Sequence, residues 1–272
     1  MSIQTINNEN VLKYYEDYNE RVGEENRASV SRSAGLELHY TKKAMREFIK
    51  NDSRILEIGC GTGYYGMYFA DKCKEYVGLD LFQRHVDIFQ HKIQESGLKN
   101  LSCKIGDATN LVEIEDSSFD VVCCFGPMYH LPLDKRALVF AECRRVCKTG
   151  GIIAFAYINK IGAYMSACLH EEFRSMYPTQ LANDYVLKQG RDDVRPDVFF
   201  FTMPEEIESA AVQYGLTKIR NIGVNFGIAK GIIDQMDDDK FEIFMEIIDE
   251  MVKYESCTGM SEHSLLICKK EY

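Results

Sequence analysis

The chain lacks tryptophan, has only five prolines among its 272 residues, and carries fewer basic than acidic side chains. With 32 Lys and Arg against 42 Asp and Glu, its formal net charge of −10 would repel a polyanion, so a nucleic-acid partner is not expected. The longest apolar runs, such as IIAFAYI at 152–158, are too short to span a bilayer, and the first residues lack the pattern of a secretion signal. We therefore predict a cytoplasmic protein with no membrane partner.

The ten cysteines do not suggest a disulfide framework. Cys123 and Cys124 are adjacent in an apolar run, and Cys143 and Cys147 lie one helical turn apart. This pattern is typical of reduced, buried thiols. The spacing of Cys143 and Cys147 could begin a metal site, but no CxxC motif or histidine pair completes one, so no metal is predicted.

Short apolar runs alternate with helical patterns from residue 54 onward. Because strands that alternate with helices form parallel sheets through right-handed crossovers, the pattern predicts an α/β fold with helices on both faces of the sheet. Two later runs, 217–226 and 263–270, predict closing strands; if they pair as neighbours, the last strand is antiparallel and the sheet has seven strands. The KTGG stretch at 148–151 predicts a helix end directly before the fifth strand.

Three segments lie outside this alternation. Residues 1–50 predict an N-terminal helical lid outside the core, and residues 51–272 form the main domain. Insertions at about 160–200 and 227–262 are rich in aromatic residues, methionine or helical patterns. Because long insertions on an α/β scaffold usually carry function, we predict that they form a helical cap.

The stretch ILEIGCGTGYYG at 55–66 permits two interpretations. From Gly61 to Gly66 it has the Gly-x-Gly-x-x-Gly spacing of a dinucleotide loop, which would suit a nicotinamide cofactor. From Glu57 it reads Glu-x-Gly-x-Gly-x-Gly, in which an acid at a strand end can face an ammonium group. Because the apolar run ends at Ile58, the dinucleotide spacing begins two residues late. The second interpretation is therefore favoured.

At these motifs the sequence resembles the class I S-adenosylmethionine-dependent methyltransferases, over roughly residues 54–157. The motifs that carry the resemblance, in order, are LEIGCGTG at 56–63, VGLD at 77–80, IGDATNL at 105–111, FDVVCCFGPMYHL at 119–131 and ECRRVCKTGG at 142–151. The chain is most similar to the small-molecule branch that includes the ubiquinone and menaquinone methyltransferases. The resemblance implies a Rossmann-like sheet with S-adenosylmethionine as cofactor and S-adenosylhomocysteine as product.

The resemblance implies roles for the residues at the end of the first strand and in the loop that follows. Glu57 would hold the methionine part of the cofactor, and Phe125 would offer its carbonyl to the cofactor's ammonium group. The backbone of Gly59, Gly61 and Gly63 would approach the cofactor closely, since a side chain there would obstruct it.

The resemblance also implies that residues at the ends of the second and third strands bind the ribose and adenine of the cofactor. Asp80 would accept hydrogen bonds from both ribose hydroxyls, with Leu81 beside it, because a carboxylate presents two acceptors to a vicinal diol. Asp107 would accept from the adenine amino group, and the amide of Ala108 would meet a ring nitrogen. For the two aspartates, a turn or cap at a strand end is the structural alternative.

Four residues are candidates for the acceptor side or the lid. His130 could act as a general base, with packing or capping as an equally weighted alternative, and Tyr129 is carried over the same crevice. Tyr15 either buries one face of an N-terminal helix or closes over the cofactor. Arg32 could pair with the cofactor carboxylate, although a surface position is the alternative.

The predicted function is transfer of a methyl group to a small, at least partly apolar acceptor with an oxygen, nitrogen or sulfur nucleophile, by in-line displacement. The GPMYHL stretch at 126–131 lacks the Asn-Pro-Pro-Tyr signature of enzymes that methylate nucleobases or glutamine. Two alternatives stay open: a nicotinamide-dependent oxidoreductase, and a non-catalytic S-adenosylmethionine-binding partner subunit. The sequence does not determine the oligomeric state.

Overall fold

A seven-stranded sheet forms the centre of the structure. The computed structural model describes residues 3–272, with side chains described from residue 8. The strands are β1 Arg54–Ile58, β2 Glu75–Asp80, β3 Leu101–Ile105, β4 Phe119–Cys124, β5 Cys147–Ile158, β6 Leu216–Asn225 and β7 His263–Lys270. Their order is β3-β2-β1-β4-β5-β7-β6.

The strand directions confirm the predicted fold class. Strands β1 to β5 pair in parallel, and β7 lies antiparallel between β5 and β6. The strand order reverses between β1 and β4, and in open α/β sheets ligands bind in the crevice at such a reversal.

Helices cover both faces of the sheet. They are α1 Ile3–Arg21, α2 Arg32–Met45, α3 Tyr64–Phe69, α4 Gln83–Ser96, α5 Leu133–Val146, α6 Lys160–Leu169, α7 Gln180–Ala182, α8 Pro204–Gln213, α9 Lys230–Gln235 and α10 Asp238–Met251. A π-helical turn, Asn183–Gln189, continues α7. In the described part of the chain, 3–272, none of these helices combines the length and the apolar character that a bilayer span requires.

The core lies on both sides of the sheet because successive strand residues face opposite ways. Ile55 and Val121 belong to one apolar cluster, whereas their neighbours Leu56 and Val122 belong to the other. All ten cysteines are free thiols, and eight of them are buried. Cys123, Cys124, Cys143 and Cys147, on which the prediction was based, are all among the buried ones.

The KTGG stretch is the first correction to the predicted boundaries. Helix α5 does end at Val146, but β5 begins directly at Cys147, so KTGG lies inside the strand. Cys147 pairs with Phe119, and the register between β4 and β5 then shifts. A bulge in the ladder thus accommodates the two glycines that predicted a helix end.

The segment 1–50 divides into two parts with different surroundings. Helix α2 packs against β6, and its apolar residues Leu36, Leu38, Tyr40 and Met45 enter the main core. Helix α1 instead borders the cavity described below. The expectation that the whole segment lies outside the core is therefore corrected for α2, whose apolar face completes one side of the sheet.

The two insertions also differ in position. Residues of the 160–200 insertion line the cavity, whereas the 227–262 insertion contributes only Lys230 and Glu262 to the described lining. Helix α10 packs behind α2, where Asp249 accepts a hydrogen bond from the hydroxyl of Tyr40 at 2.9 Å. The apolar face of α10 therefore covers α2 and the sheet rather than the cavity.

Gly63 provides a test of the turn between β1 and α3. Its φ is +84°, and an added Cβ would lie 2.0 Å from the ring of Phe89. Gly97 has a similar φ of +68° but open space around it. We expect Gly63→Ala to lower the free energy of unfolding by about 2 kcal/mol more than Gly97→Ala, because only the first adds a steric clash to backbone strain. Urea unfolding measures both; equal losses would contradict the role of Phe89.

Candidate functional site

A cavity of about 780 Å³ opens at the carboxyl ends of the first five strands. Its wall includes the ends of these strands or the turns after them, at 57–58, 80–81, 106–108, 125–127 and 158. Helix α1 and the 160–200 insertion supply aromatic side chains opposite, and Phe201 directly after the insertion adds another: Tyr14, Tyr15, Tyr18, Tyr164, Phe173, Tyr177, Phe199 and Phe201. Its volume is in the upper part of the range for small-molecule sites, about 300–1,000 Å³.

The glycine loop after β1 is shaped mainly by the protein's own packing. Gly59 has a φ of +82°, and an added Cβ would lie 2.5 Å from the carbonyl oxygen of Phe125. At Gly61 the nearest atom to an added Cβ is Cγ of Glu24, at 3.6 Å. The resemblance explains all three glycines by close approach to a cofactor. Packing against Phe125 and Phe89 already excludes a side chain at Gly59 and Gly63, whereas Gly61 has no such close neighbour.

The carboxylate of Asp80 is held at the end of β2 by two backbone amides. Its Oδ2 accepts from the N–H of Gly61 at 2.7 Å, and its Oδ1 accepts from the N–H of Phe82 at 2.9 Å. Asp80 and Leu81 both line the cavity. Because each carboxylate oxygen has a further lone pair, Asp80 can still accept hydrogen bonds from a vicinal diol.

The end of β3 presents a second carboxylate. Asp107 Oδ1 accepts from both the backbone N–H and the hydroxyl of Thr109, at 2.8 and 2.7 Å. Its Oδ2 lies 3.4 Å from the side-chain amide nitrogen of Asn8 on α1. Ala108 is buried and also lines the cavity. The two residues assigned to adenine therefore lie at one edge of the cavity.

Glu57 is almost completely buried at the end of β1. Its Oε2 accepts from the hydroxyl of Tyr76 at 2.6 Å. Burial raises the pKa of Glu57 to about 8; the hydrogen bond from Tyr76 opposes this rise, whereas the charge of Asp80 adds to it. A cation placed beside Glu57 would favour its ionised form.

Arg32 does not reach the cavity, and its predicted role is corrected. Its guanidinium pairs with Asp238 at the start of α10 and lies over the ring of Phe241, 5.0 Å from the centroid. The cause is the position of α10 behind α2, which places an acid beside Arg32 on the outer surface. Arg32 therefore lies on the surface, which was the alternative interpretation of this residue.

Arg27, unlike Arg32, lies at the cavity. It lines the cavity and pairs with Glu24 and Glu37, each at 2.9 Å. Burial alone would raise the pKa of Glu37, but the charge of Arg27 lowers it below its ordinary value. No local pattern distinguishes Arg27 from Arg32 in the sequence, since the two lie five residues apart in one polar stretch.

His130 is buried with both ring nitrogens engaged. Its Nε2 lies 3.0 Å from the hydroxyl of Tyr15, and its Nδ1 lies 3.0 Å from the carbonyl oxygen of Val198. Since a carbonyl only accepts, Nδ1 carries the proton and Nε2 accepts from Tyr15. Burial lowers the pKa of His130 to about 4, so the ring is neutral near pH 7. Tyr129 packs against it with ring centroids 4.7 Å apart, and burial raises the pKa of Tyr129.

His85 and Asn19 are further residues that the sequence patterns did not single out. His85 lines the cavity on α4, and its Nδ1 lies 3.5 Å from Asp80 Oδ1. Asn19 on α1 donates to Nε2 of His85 at 3.0 Å. The structure thus links the helix over the cavity to the carboxylate at the end of β2.

The charge of the lining suits the predicted cofactor. Among the described residues of the wall, ten are Asp or Glu and four are Lys or Arg. S-adenosylmethionine carries a sulfonium, an ammonium and one carboxylate, so an acidic wall complements its net positive charge. Glu57 is a buried acid near the end of β1, and the Asp80 carboxylate at the end of β2 can accept hydrogen bonds from a diol. The residues present therefore fit S-adenosylmethionine.

Residues 55–151 match the model of a protein family described as a methyltransferase domain. The chain is similar to the ubiquinone biosynthesis O-methyltransferase of Paracidovorax citrulli, with 31% identity over 121 residues that make up 44% of this chain and 50% of that protein. Its match to the same enzyme of Aromatoleum aromaticum is 26% identical over 174 residues, 64% and 68% of the two chains. The chain spans about half the length of the curated relatives it matches first.

Solved structures share the fold. The PH0226 protein from Pyrococcus horikoshii gives a TM-score of 0.60 at 15% identity, over 93% of this chain and 98% of that one. An S-adenosylmethionine-dependent methyltransferase from Mesorhizobium loti gives 0.56 at 14% identity, over 87% and 99%. Because the matched residues carry the glycine loop and the acidic strand ends that form this cavity, the chain contains a methyltransferase domain, and its fold is shared by S-adenosylmethionine-dependent methyltransferases.

Proposed function

We propose that this protein transfers the methyl group of S-adenosylmethionine to a small-molecule acceptor through an oxygen, nitrogen or sulfur nucleophile. The observation that carries the proposal is one cavity with two unlike sides, acidic strand ends on one and aromatic side chains on the other. When bound, S-adenosylmethionine supplies a methyl group already activated on a sulfonium. The protein's residues then have to orient the two reactants and exclude water, which can supply much of the rate.

The acidic side would hold the cofactor. We assign the ammonium group to Glu57 and the backbone carbonyl of Phe125, and the ribose to Asp80 with Leu81 beside it. Asp107 and Ala108 would hold the adenine. The backbone of Gly59, Gly61 and Gly63 would approach the cofactor closely. These assignments are supported by the position of each residue at a strand end that borders the cavity.

The aromatic side would hold the acceptor. Tyr129, His130 and Tyr15 lie there together, with Phe199 packed against the His130 ring at 5.1 Å. Because both nitrogens of His130 are engaged and its pKa is low, we propose that it positions Tyr15 rather than taking the acceptor's proton directly. Because this side of the cavity is lined by aromatic rings, the proposed acceptor is small and at least partly apolar.

Helix α1 and the 160–200 insertion would form the lid and cap of this site. Tyr14 of α1 meets Phe199 of the insertion edge to face, with ring centroids 5.0 Å apart. Contact between these aromatic rings closes the cavity opposite the sheet, where exclusion of water assists the transfer. A cytoplasmic location stays a prediction from the sequence.

The relatives from Paracidovorax citrulli and Aromatoleum aromaticum are O-methyltransferases, so hydroxyl acceptors are the first to test. Carboxylate acceptors are disfavoured because acids outnumber bases in the described wall. The proposed function therefore ranks phenols and other hydroxyl compounds ahead of thiols and amines, and carboxylates last.

The proposal is tested by binding and then by activity. Calorimetric titration should show saturable binding of S-adenosylmethionine and S-adenosylhomocysteine, with NADH as the competing ligand. Folded protein that binds neither methyl compound would contradict the proposal, and tighter binding of NADH would favour an oxidoreductase. Methyl transfer is then measured with a panel of phenols, thiols, amines and carboxylates as acceptors. Binding without transfer to any of them would favour a non-catalytic partner subunit.

Proton release provides a separate prediction for Glu57. At pH 7 a carboxyl with a pKa of about 8 is mostly protonated, and a bound ammonium group would lower that pKa. We expect binding of S-adenosylhomocysteine to release between about half and one proton per site. Titrations in two buffers with different ionisation enthalpies measure it. Glu57→Gln should remove the release and Glu113→Gln, at an exposed site, should keep it; equal release by both would assign the proton to another group.

A further inference from the structure

One face of α1 carries three polar residues that contact side chains of other elements around the cavity. Asn8, Tyr15 and Asn19 are spaced seven and four residues apart, which places them on the same side of a helix. Asn8 faces Asp107, Tyr15 bonds to His130, and Asn19 bonds to a histidine on α4. The helix is therefore attached along its length to the cavity wall.

The attachment at Asn19 has a defined hydrogen-bond direction. Asn19 Oδ1 accepts from the backbone N–H of Glu24 at 3.0 Å, which orients its amide. Its Nδ2 then donates to the carbonyl oxygen of Tyr15 at 2.8 Å and to Nε2 of His85 at 3.0 Å. Because Nε2 of a neutral imidazole accepts here, the proton lies on Nδ1. That N–H faces Asp80 Oδ1 at 3.5 Å.

This arrangement is buried and specific. His85 is 2% exposed and Asn19 is 8% exposed. The ring of His85 also packs edge to face against Tyr15 and Phe82, at 5.2 and 4.9 Å between centroids. Packing on both sides fixes the orientation of the imidazole. This packing places Nδ1 of His85 beside the carboxylate at the end of β2.

We propose that His85 and Asn19 are positioning residues that orient the Asp80 carboxylate toward the ribose diol and couple ribose binding to closure of α1. The inference rests on the proposed function, in which Asp80 accepts the ribose hydroxyls. Two backbone amides hold the Asp80 carboxylate, and the His85 ring, 3.5 Å from Oδ1, would limit its rotation on the cavity side. Asn19 holds that ring in place through Nε2. The Asn19 contact would therefore strengthen ribose binding, and by linkage bound ribose would strengthen that contact by the same factor. Loss of the contact is expected to weaken ribose binding.

The test is a double-mutant cycle read with two ligands. Affinities for S-adenosylhomocysteine and for its 2′,3′-dideoxy analogue are measured by calorimetry for the wild type, Asn19→Ala, His85→Leu and the double variant. We expect each single change to weaken S-adenosylhomocysteine binding by about 5- to 20-fold, and the double change to weaken it little beyond the larger single effect. The dideoxy analogue should bind all four proteins within about twofold, because it lacks the diol.

Three controls keep the outcomes distinct. His91→Leu alters an exposed histidine on the same helix and should leave both affinities unchanged. His85→Gln retains a side-chain donor and should recover part of the loss. Thermal unfolding of every variant shows whether the fold persists; Asn19 lies on α1, outside the sheet's apolar clusters, so its variant should fold.

Two results would overturn the inference. Single variants that bind S-adenosylhomocysteine within twofold of the wild type would show that neither residue orients Asp80. Equal losses with both ligands would show that His85 only supports the fold. Failure of the wild type itself to bind S-adenosylhomocysteine would contradict the proposed function first, and with it this inference.

Discussion

Replacing Asp80 with alanine is expected to weaken binding of S-adenosylmethionine and S-adenosylhomocysteine by about 30- to 1,000-fold, or about 2 to 4 kcal/mol. The change removes the ionised acceptor assigned to both ribose hydroxyls. It also releases the N–H groups of Gly61 and Phe82, which now donate to this carboxylate at 2.7 and 2.9 Å. Calorimetric titration of both ligands provides the measurement.

The matched control for Asp80 is Asp120→Ala. Asp120 near the start of β4 also accepts a backbone hydrogen bond, from Arg54 at 2.8 Å, but lies at the other end of the sheet. Its loss should leave cofactor affinity unchanged. Asp80→Asn keeps one acceptor oxygen and should show an intermediate affinity. If Asp80→Ala binds the cofactor as tightly as the wild type while remaining folded, the ribose does not lie at the end of β2.

Replacing His130 with asparagine is expected to lower kcat/KM for the acceptor on the order of 100-fold while cofactor affinity changes little. The ring joins the hydroxyl of Tyr15 to the carbonyl of Val198, and asparagine is too short to make both contacts. Tyr15→Phe removes the same contact from the other side. It should reproduce most of the loss, and the two losses should not add.

The pH dependence of the wild type separates positioning from general-base catalysis by His130. Burial lowers its pKa to about 4, so the neutral ring predominates above pH 5 and no loss of rate from His130 is expected between pH 6 and 9. Protonation, and with it loss of the hydrogen bond from Tyr15, would begin only as the pH falls toward 4. A rate that falls below pH 7 in the wild type but not in His130→Asn would show that His130 titrates near neutrality, and would contradict the neutral, buried ring on which the positioning role rests.

The sequence predicted the sheet and the acidic residues near the ends of its first three strands. Alternating apolar runs and helical patterns predicted the parallel strands, and the last run predicted the antiparallel strand that lies between β5 and β6. Because parallel strands end at one edge of a sheet, the motif residues Glu57, Asp80 and Asp107 had to meet there. Each of these residues lies within two positions of the end of its own strand, so the strand pattern alone was enough to locate it.

The tertiary structure alone decided which residues outside the motifs reach that edge. Arg27 lines the cavity while Arg32 pairs with α10, although the two belong to one polar stretch. Asn19 meets His85 across 66 residues of sequence, and the burial that makes His130 a neutral ring comes from α1 and the 160–200 insertion. Contacts of this kind depend on how helices pack over the sheet, and side-chain periodicity within one segment carries no information about the segment it will face. The position of α1 at the cavity and the neutral ring of His130 therefore depend on packing.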